Sequence, residues 1–148
     1  MNEIFQELRS RLSEINDIQS ASAVLMWDQA THMPSQGASA RGRQMATLRK
    51  LSHERLTDPA LGKILENLVS LERQLSRDSF EASLIRVARK EYEKSVKVPA
   101  DFLARLSNHA SATYDEWTRA KERSDFKSLI PFLEKSLDLS REYADYFP

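Results

Sequence analysis

The sequence predicts an all-α protein, an antiparallel bundle of about six helices, and three observations carry that prediction. Apolar residues recur every three or four positions along most of the chain, the spacing of a helix face. Three glycines and five prolines in 148 residues are few, and they fall where helices should stop. No stretch alternates apolar and polar residues with the period of a strand over a useful length.

The first helix is expected from about Glu3 to Met26, with Asn2 as its N-cap and Phe5, Leu8, Leu12, Ile15, Ile18 and Leu25 in one stripe. Arg11, Gln19 and Ser22 interrupt strict heptads, so it reads as a globular packing helix rather than a coiled-coil strand. The run from Trp27 to Gly37 reads as a turn with heavy side chains. There Pro34 bars helix continuation and biases Met33 to extended backbone, and Gly37 frees the chain.

A second helix is expected over Ala38 to Leu56, with Met45, Leu48 and Leu51 inward. Asp58 then caps, and Pro59 starts, a third helix reaching about Ser76. Its broad apolar face is Leu61, Ile64, Leu65, Leu68, Leu71 and Leu75. Asp78-Ser79-Phe80-Glu81 has capping-box spacing with Asp as the cap. It opens a fourth helix striped by Phe80, Leu84, Val87, Ala88 and Tyr92.

After Val98-Pro99 a fifth helix carries Phe102, Leu103, Leu106, Ala110, Thr113 and Trp117, and Ser124-Asp125 breaks it. Pro131 is expected in the first turn of the sixth, which runs through Leu133, Leu137, Ala144 and Phe147. Tyr92 and Trp117 are read as core residues. With no internal repeat, low-complexity tract or linker, residues 1–148 are expected to form a single helical domain.

Composition narrows the function classes. The 22 Lys and Arg cancel the 22 Asp and Glu, which disfavours a nucleic-acid binder. Hydrophobic residues at 41% suffice for a core, and the longest apolar run, Ala21 to Trp27, is too short to cross a bilayer. Cysteine is absent, which excludes disulfides, thiolate metal sites and a thiol nucleophile. The N-terminus shows neither a basic region nor an apolar run, so a cytoplasmic protein is expected.

The candidate chemistry is incomplete wherever it begins. Gly37 to Gly42 has the glycine spacing of a phosphate loop, but Arg43-Gln44 stand where Lys and Ser or Thr are needed. His53-Glu54 opens an HExxH zinc motif whose second histidine position is Thr57. His109, Thr113 and Glu116 share a helix face, yet only two of them are normal metal ligands. Asp28 and His32 stand four apart and read as a local hydrogen bond before an acid–base pair. The basic stretch Arg41, Arg43, Arg49, Lys50 and Arg55 reads as a solvated surface, with an anion or carboxylate contact as the alternative. Trp27 reads as a structural lock, with a cleft wall as the alternative. By its residues alone the chain is a helical domain without a complete catalytic apparatus.

The run Leu25-Met26-Trp27-Asp28-Gln29-Ala30-Thr31-His32-Met33-Pro34, followed by Gly37-Ala38 and Arg41, resembles the N-terminal part of the carboxypeptidase Taq family of HExxH-type zinc metallocarboxypeptidases. His53-Glu54, Thr57-Asp58-Pro59, Arg89, Glu91-Tyr92, Val98-Pro99, Trp117, Ala120, Asp125-Phe126, Pro131, Leu133 and Arg141-Glu142 agree in order. The resemblance implies the N-terminal part of a larger all-helical metallopeptidase that removes C-terminal amino acids from peptides. It implies that the zinc motif, the third metal ligand and the other catalytic residues lie beyond this chain. No catalytic or metal-binding residue is therefore assigned here, and the zinc (or another divalent metal) belongs to the complete enzyme.

Trp27, Asp28, Thr31, Met33, Pro34, Gly37 and Arg41 are expected to line the substrate groove or to serve structure, and Arg41 or Arg43 could contact an anion. The implied partners are the C-terminal catalytic region and a peptide substrate, with no nucleic acid and no membrane. The end of the chain at Pro148 fits a truncation, and the chain alone is expected to be inactive. The alternative is a stand-alone helical protein-binding module. Either way, self-association is expected through exposed apolar faces, the leucine face of the third helix or Tyr143, Tyr146 and Phe147.

Overall fold

The computed structural model describes residues 3–148, with the backbone alone for Ser35; the expected cap Asn2 lies outside them. Among these residues are seven α-helices, a short 3-10 turn over Ser35–Gly37, and no strand. The helices are α1 (Glu3–Thr31), α2 (Ala38–Leu56), α3 (Pro59–Asn67), α4 (Val69–Gln74), α5 (Phe80–Ser95), α6 (Ala100–Arg123) and α7 (Phe126–Asp145). They group into two compact units, divided along the chain between Val96 and Lys97.

In the first unit, Phe5, Leu8 and Ile15 of α1 join Leu61, Ile64, Leu65, Leu68, Ile85 and Ala88 in one core. The leucine face expected to lie open on the third helix is thus the centre of this core. Gly62 has a packing reason to be glycine: a Cβ there would stand 2.7 Å from Cζ of Tyr92, whose ring covers the α3 backbone. Tyr92 is half-buried against the core, as expected.

Helices α1 and α2 run antiparallel, and their polar pairs show it. Glu14 meets Arg55 at 3.0 Å, Gln19 Nε2 donates to Ser52 Oγ at 3.2 Å, and Asp28 meets Arg41 at 2.6 Å. The pairs climb one helix while descending the other. The basic stretch is therefore not simply solvated, because Arg41 and Arg55 are fastened to α1. Leu51, expected inward, is exposed.

Several boundaries differ from the sequence reading. Helix α1 runs on to Thr31 instead of stopping at Met26. The expected third helix breaks at buried Leu68 (φ −88°, ψ −5°), and both halves pack on α5. The cap of α5 is Ser79, whose Oγ accepts from the Ala82 N–H at 3.2 Å, and not Asp78. Phe80 and Val87 on that helix are exposed. The Asp58 cap is as expected: its carboxylate accepts from the Ala60 N–H at 2.8 Å, with Pro59 opening the helix.

The second unit is the antiparallel hairpin of α6 and α7, joined at Ser124 in a left-handed conformation (φ 54°). Val98, Phe102 and Leu139 form its core, with Leu103, Leu106, Tyr143, Tyr146 and Phe147 packed around them. Of the C-terminal aromatic residues expected to be an open face, Tyr143 stacks on Phe102, Tyr146 meets the same ring edge-on, and Phe147 packs against Tyr143. Pro131 lies inside α7, beyond its first turn, and Trp117 is exposed rather than core.

Candidate functional site

The family-motif residues gather at the corner between α1 and α2. Because the helix persists through Trp27 and Asp28, the last turn of α1 presents Asp28 toward α2. Arg41 Nη2 donates to Asp28 Oδ2 at 2.6 Å, Nη1 to the Leu25 carbonyl, and Nε to Gln44 Oε1 at 3.3 Å. The Arg41 side chain is 13% exposed and each of its three nitrogens bonds inside the chain, with its charge met by Asp28. Arg43 Nη1 in turn donates to Ser39 Oγ at 3.0 Å.

Asp28 is thus partnered by Arg41, and His32 turns elsewhere. Its Nδ1 lies 2.7 Å from Thr31 Oγ1, and its ring lies 5.3 Å from that of Trp27. Thr31 Oγ1 donates to the Trp27 carbonyl at 2.7 Å. The Asp28 carbonyl accepts from both His32 and Met33 N–H at 2.9 Å, which closes α1. Pro34 then extends the backbone (φ −66°, ψ 148°) into the 3-10 turn, whose Gly37 N–H donates to the Pro34 carbonyl at 2.8 Å. Gly37 has an ordinary right-handed φ of −77°, so backbone freedom is not its reason. A Cβ there would stand 3.1 Å from Cγ of Met33, which packs over it. Trp27 remains exposed at 61%.

The other candidates separate. Ala38 to Arg43 are the opening turns of α2, so the Gly37-to-Gly42 spacing forms no phosphate loop. The His53 carbonyl accepts from the N–H and the hydroxyl of Thr57 at 2.9 and 2.8 Å. The residue at the missing histidine position therefore ties off a helix end. His109 Nε2 lies 3.1 Å from the Phe132 carbonyl, 3.0 Å from Ser136 Oγ and 3.2 Å from Thr113 Oγ1. Ser136 and Thr113 give their hydroxyl hydrogens to the Phe132 and His109 carbonyls. The network assigns the ring hydrogen to Nε2, which leaves that nitrogen no lone pair for a metal. Among the described residues no three His, Asp or Glu side chains converge as a metal site.

Open clefts in the first unit, which no sequence pattern announces, lie among the described residues. One, of about 320 Å³, is lined by Glu7, Ser10, Arg11, Glu14 and Arg55. The other, of about 340 Å³, includes Arg73, Arg77, Arg86 and Arg89, with Glu72 holding Arg89 at 2.6 Å. Neither includes a residue of the Trp27–Arg41 motif.

The conspicuous polar residues of this all-helical chain fasten its own helices to one another. The family profile described as carboxypeptidase Taq (M32) metallopeptidase matches residues 7–147, and the chain belongs to that family. It is 31% identical over 141 residues to thermostable carboxypeptidase 1 of Thermus thermophilus, covering 95% of this chain and 28% of that protein. It is 28% identical to thermostable carboxypeptidase 1 of Pyrococcus furiosus, covering 98% of this chain and 28% of that protein. The crystal structure of an M32 carboxypeptidase from Deinococcus radiodurans R1 is similar with a TM-score of 0.84 at 38% identity, over 99% of this chain and 29% of that one. The chain thus spans about 28% of the length of the curated relatives it matches.

Proposed function

We propose that the chain is the N-terminal helical segment of a zinc-dependent metallocarboxypeptidase, one wall of the groove that receives a peptide C-terminus. The 148 residues are then inactive by themselves. The observation that supports the reading is the family match over residues 7–147 within relatives of which the chain spans only 28%. The partners are the catalytic remainder of such an enzyme and its peptide substrate, in the cytoplasm, with neither nucleic acid nor membrane involved. Zinc, or another divalent metal, would supply an activated water and polarise the last peptide bond in the complete enzyme. The residues of this chain do not fit it, since His109 Nε2 is a donor and no ligand trio converges among the described residues. No step of the reaction is assigned to them.

The Trp27–Arg41 corner gives the segment its part. It fixes the turn between the two longest helices of the first unit and leaves the Trp27 ring exposed beside His32. The test is release of C-terminal amino acids from an N-blocked peptide by the purified chain with zinc or cobalt added. No release above background is expected. Chelator-sensitive release, or stoichiometric zinc binding at micromolar affinity lost in His53→Ala or His109→Ala, would overturn it. The second reading, a stand-alone protein-binding module, draws on the exposed apolar residues of α6 and α7. A reading frame that continues into an HExxH motif would decide for the enzyme segment.

A further inference from the structure

The charges of the chain balance overall, 22 against 22, but not in the cleft between α4 and the first half of α5. Arg73, Arg77, Arg86 and Arg89 line it, with Glu72 as the sole carboxylate of the lining. Three positive charges are left over around about 340 Å³ of open space. Asp78, although next to Arg77 in sequence, is outside the lining. A cleft lined by one sign of charge focuses its field and concentrates counter-ions.

The four arginines divide into two pairs. Arg89 and Arg86 hold the walls. Arg89 Nη2 bonds Glu72 Oε2 at 2.6 Å, tying α5 to α4, and the two side chains are 27 and 18% exposed. Arg86 Nη1 donates to the Arg77 carbonyl at 3.4 Å and its Nη2 to Ser83 Oγ at 3.2 Å, which holds the connecting segment against α5. Arg73 stands in the last turn of α4 and Arg77 three residues beyond its end. Both are exposed, and among the described residues neither side chain has an ion pair or a hydrogen bond. The fold does not use these two cations, and the bonds of the other two keep the space beside them open.

We propose that this cleft binds a diphosphate group, free or carried on a small organic molecule. A guanidinium is a planar fork of donors that matches phosphate oxygens two at a time. A single carboxylate would answer one of the three surplus charges, and a phosphate monoester carries about 1.5 to 2. A diphosphate comes nearer to the full charge and has oxygens enough for two forks. The lining contains no aromatic side chain, so nothing there stacks a nucleobase, and recognition rests on the phosphates. Such binding does not depend on the metallocarboxypeptidase reading.

Isothermal titration calorimetry of the chain with inorganic pyrophosphate tests it, without metal and at about 50 mM salt, where screening is modest. One site per chain with a submillimolar dissociation constant is expected. Arg73→Gln and Arg77→Gln should each raise that constant at least ~10-fold, with helical circular dichroism retained because neither side chain holds the fold. Arg9→Gln removes the same charge from an exposed position on α1 and should change it less than ~2-fold. Acetate should bind at least ~10-fold more weakly than pyrophosphate. Methyl diphosphate separates the two sources: tighter binding than pyrophosphate assigns the cleft to a carried diphosphate, weaker binding to the free ion. No binding of either, an equal loss in Arg9→Gln, or citrate bound more tightly than pyrophosphate overturns the proposal.

Discussion

Arg41 supplies what α1 lacks. The last turn of α1 contains no basic residue and carries Asp28, an acidic side chain where the helix dipole already accumulates negative charge. Arg41 brings its cation from α2, bonding Asp28 and the Leu25 carbonyl together. Arg41→Ala is expected to cost about 2 kcal/mol, since charged hydrogen bonds are lost and Asp28 is left against the dipole. Arg41→Lys should recover only part of this, because an ammonium does not span both acceptors as a planar fork does. Urea denaturation of Arg41→Ala, Asp28→Ala and the double variant measures the coupling. Strict additivity would contradict this account.

The α6–α7 element is held by groups that respond to acid. The Arg105 guanidinium, bonded to Glu142, holds that carboxyl below its usual range, and the Ser128 hydroxyl and then Arg119 do the same for Glu116. A carboxyl lowered on folding contributes stability above its unfolded pKa, about 4.3, and loses it as pH falls through the folded value. The hairpin should therefore weaken below about pH 4. Glu142→Gln should shrink the difference between the urea midpoints at pH 6 and pH 3, and an unchanged difference would remove Glu142 from the explanation.

Helices were legible at this scale because caps and prolines punctuate them: Asp58-Pro59, Pro99 and Ser124-Asp125 all stand at real ends. The end of α1 was not, because Pro34 restricts the residue before it and leaves Trp27 to Thr31 free to stay helical. The break at Leu68 has no glycine or proline to announce it. Trp117 was misplaced because α6 has two stripes, and the one with more apolar residues faces out while His109, Thr113 and Glu116 turn toward α7.

Across the whole molecule, positive and negative charges cancel and the isoelectric point is about 6.8. The Trp27–Arg41 string was recognisable in the sequence as a family pattern, and the profile match bears out the family. What the string does locally was not recognisable. Its Arg41–Asp28 bond joins residues on two different helices, and no spacing rule within one helix connects them.

The positions along which α6 and α7 face each other, Phe102, Leu106, His109, Thr113, Glu116 and Ala120 against Leu129, Phe132, Ser136, Leu139, Tyr143 and Tyr146, alternate steps of three and four residues without a slip. A straight α-helix would lose such a seven-residue repeat by about 20° per repeat. To keep His109 on Phe132 and Phe102 on Tyr146 at once, α6 and α7 must wind around each other in a left-handed supercoil.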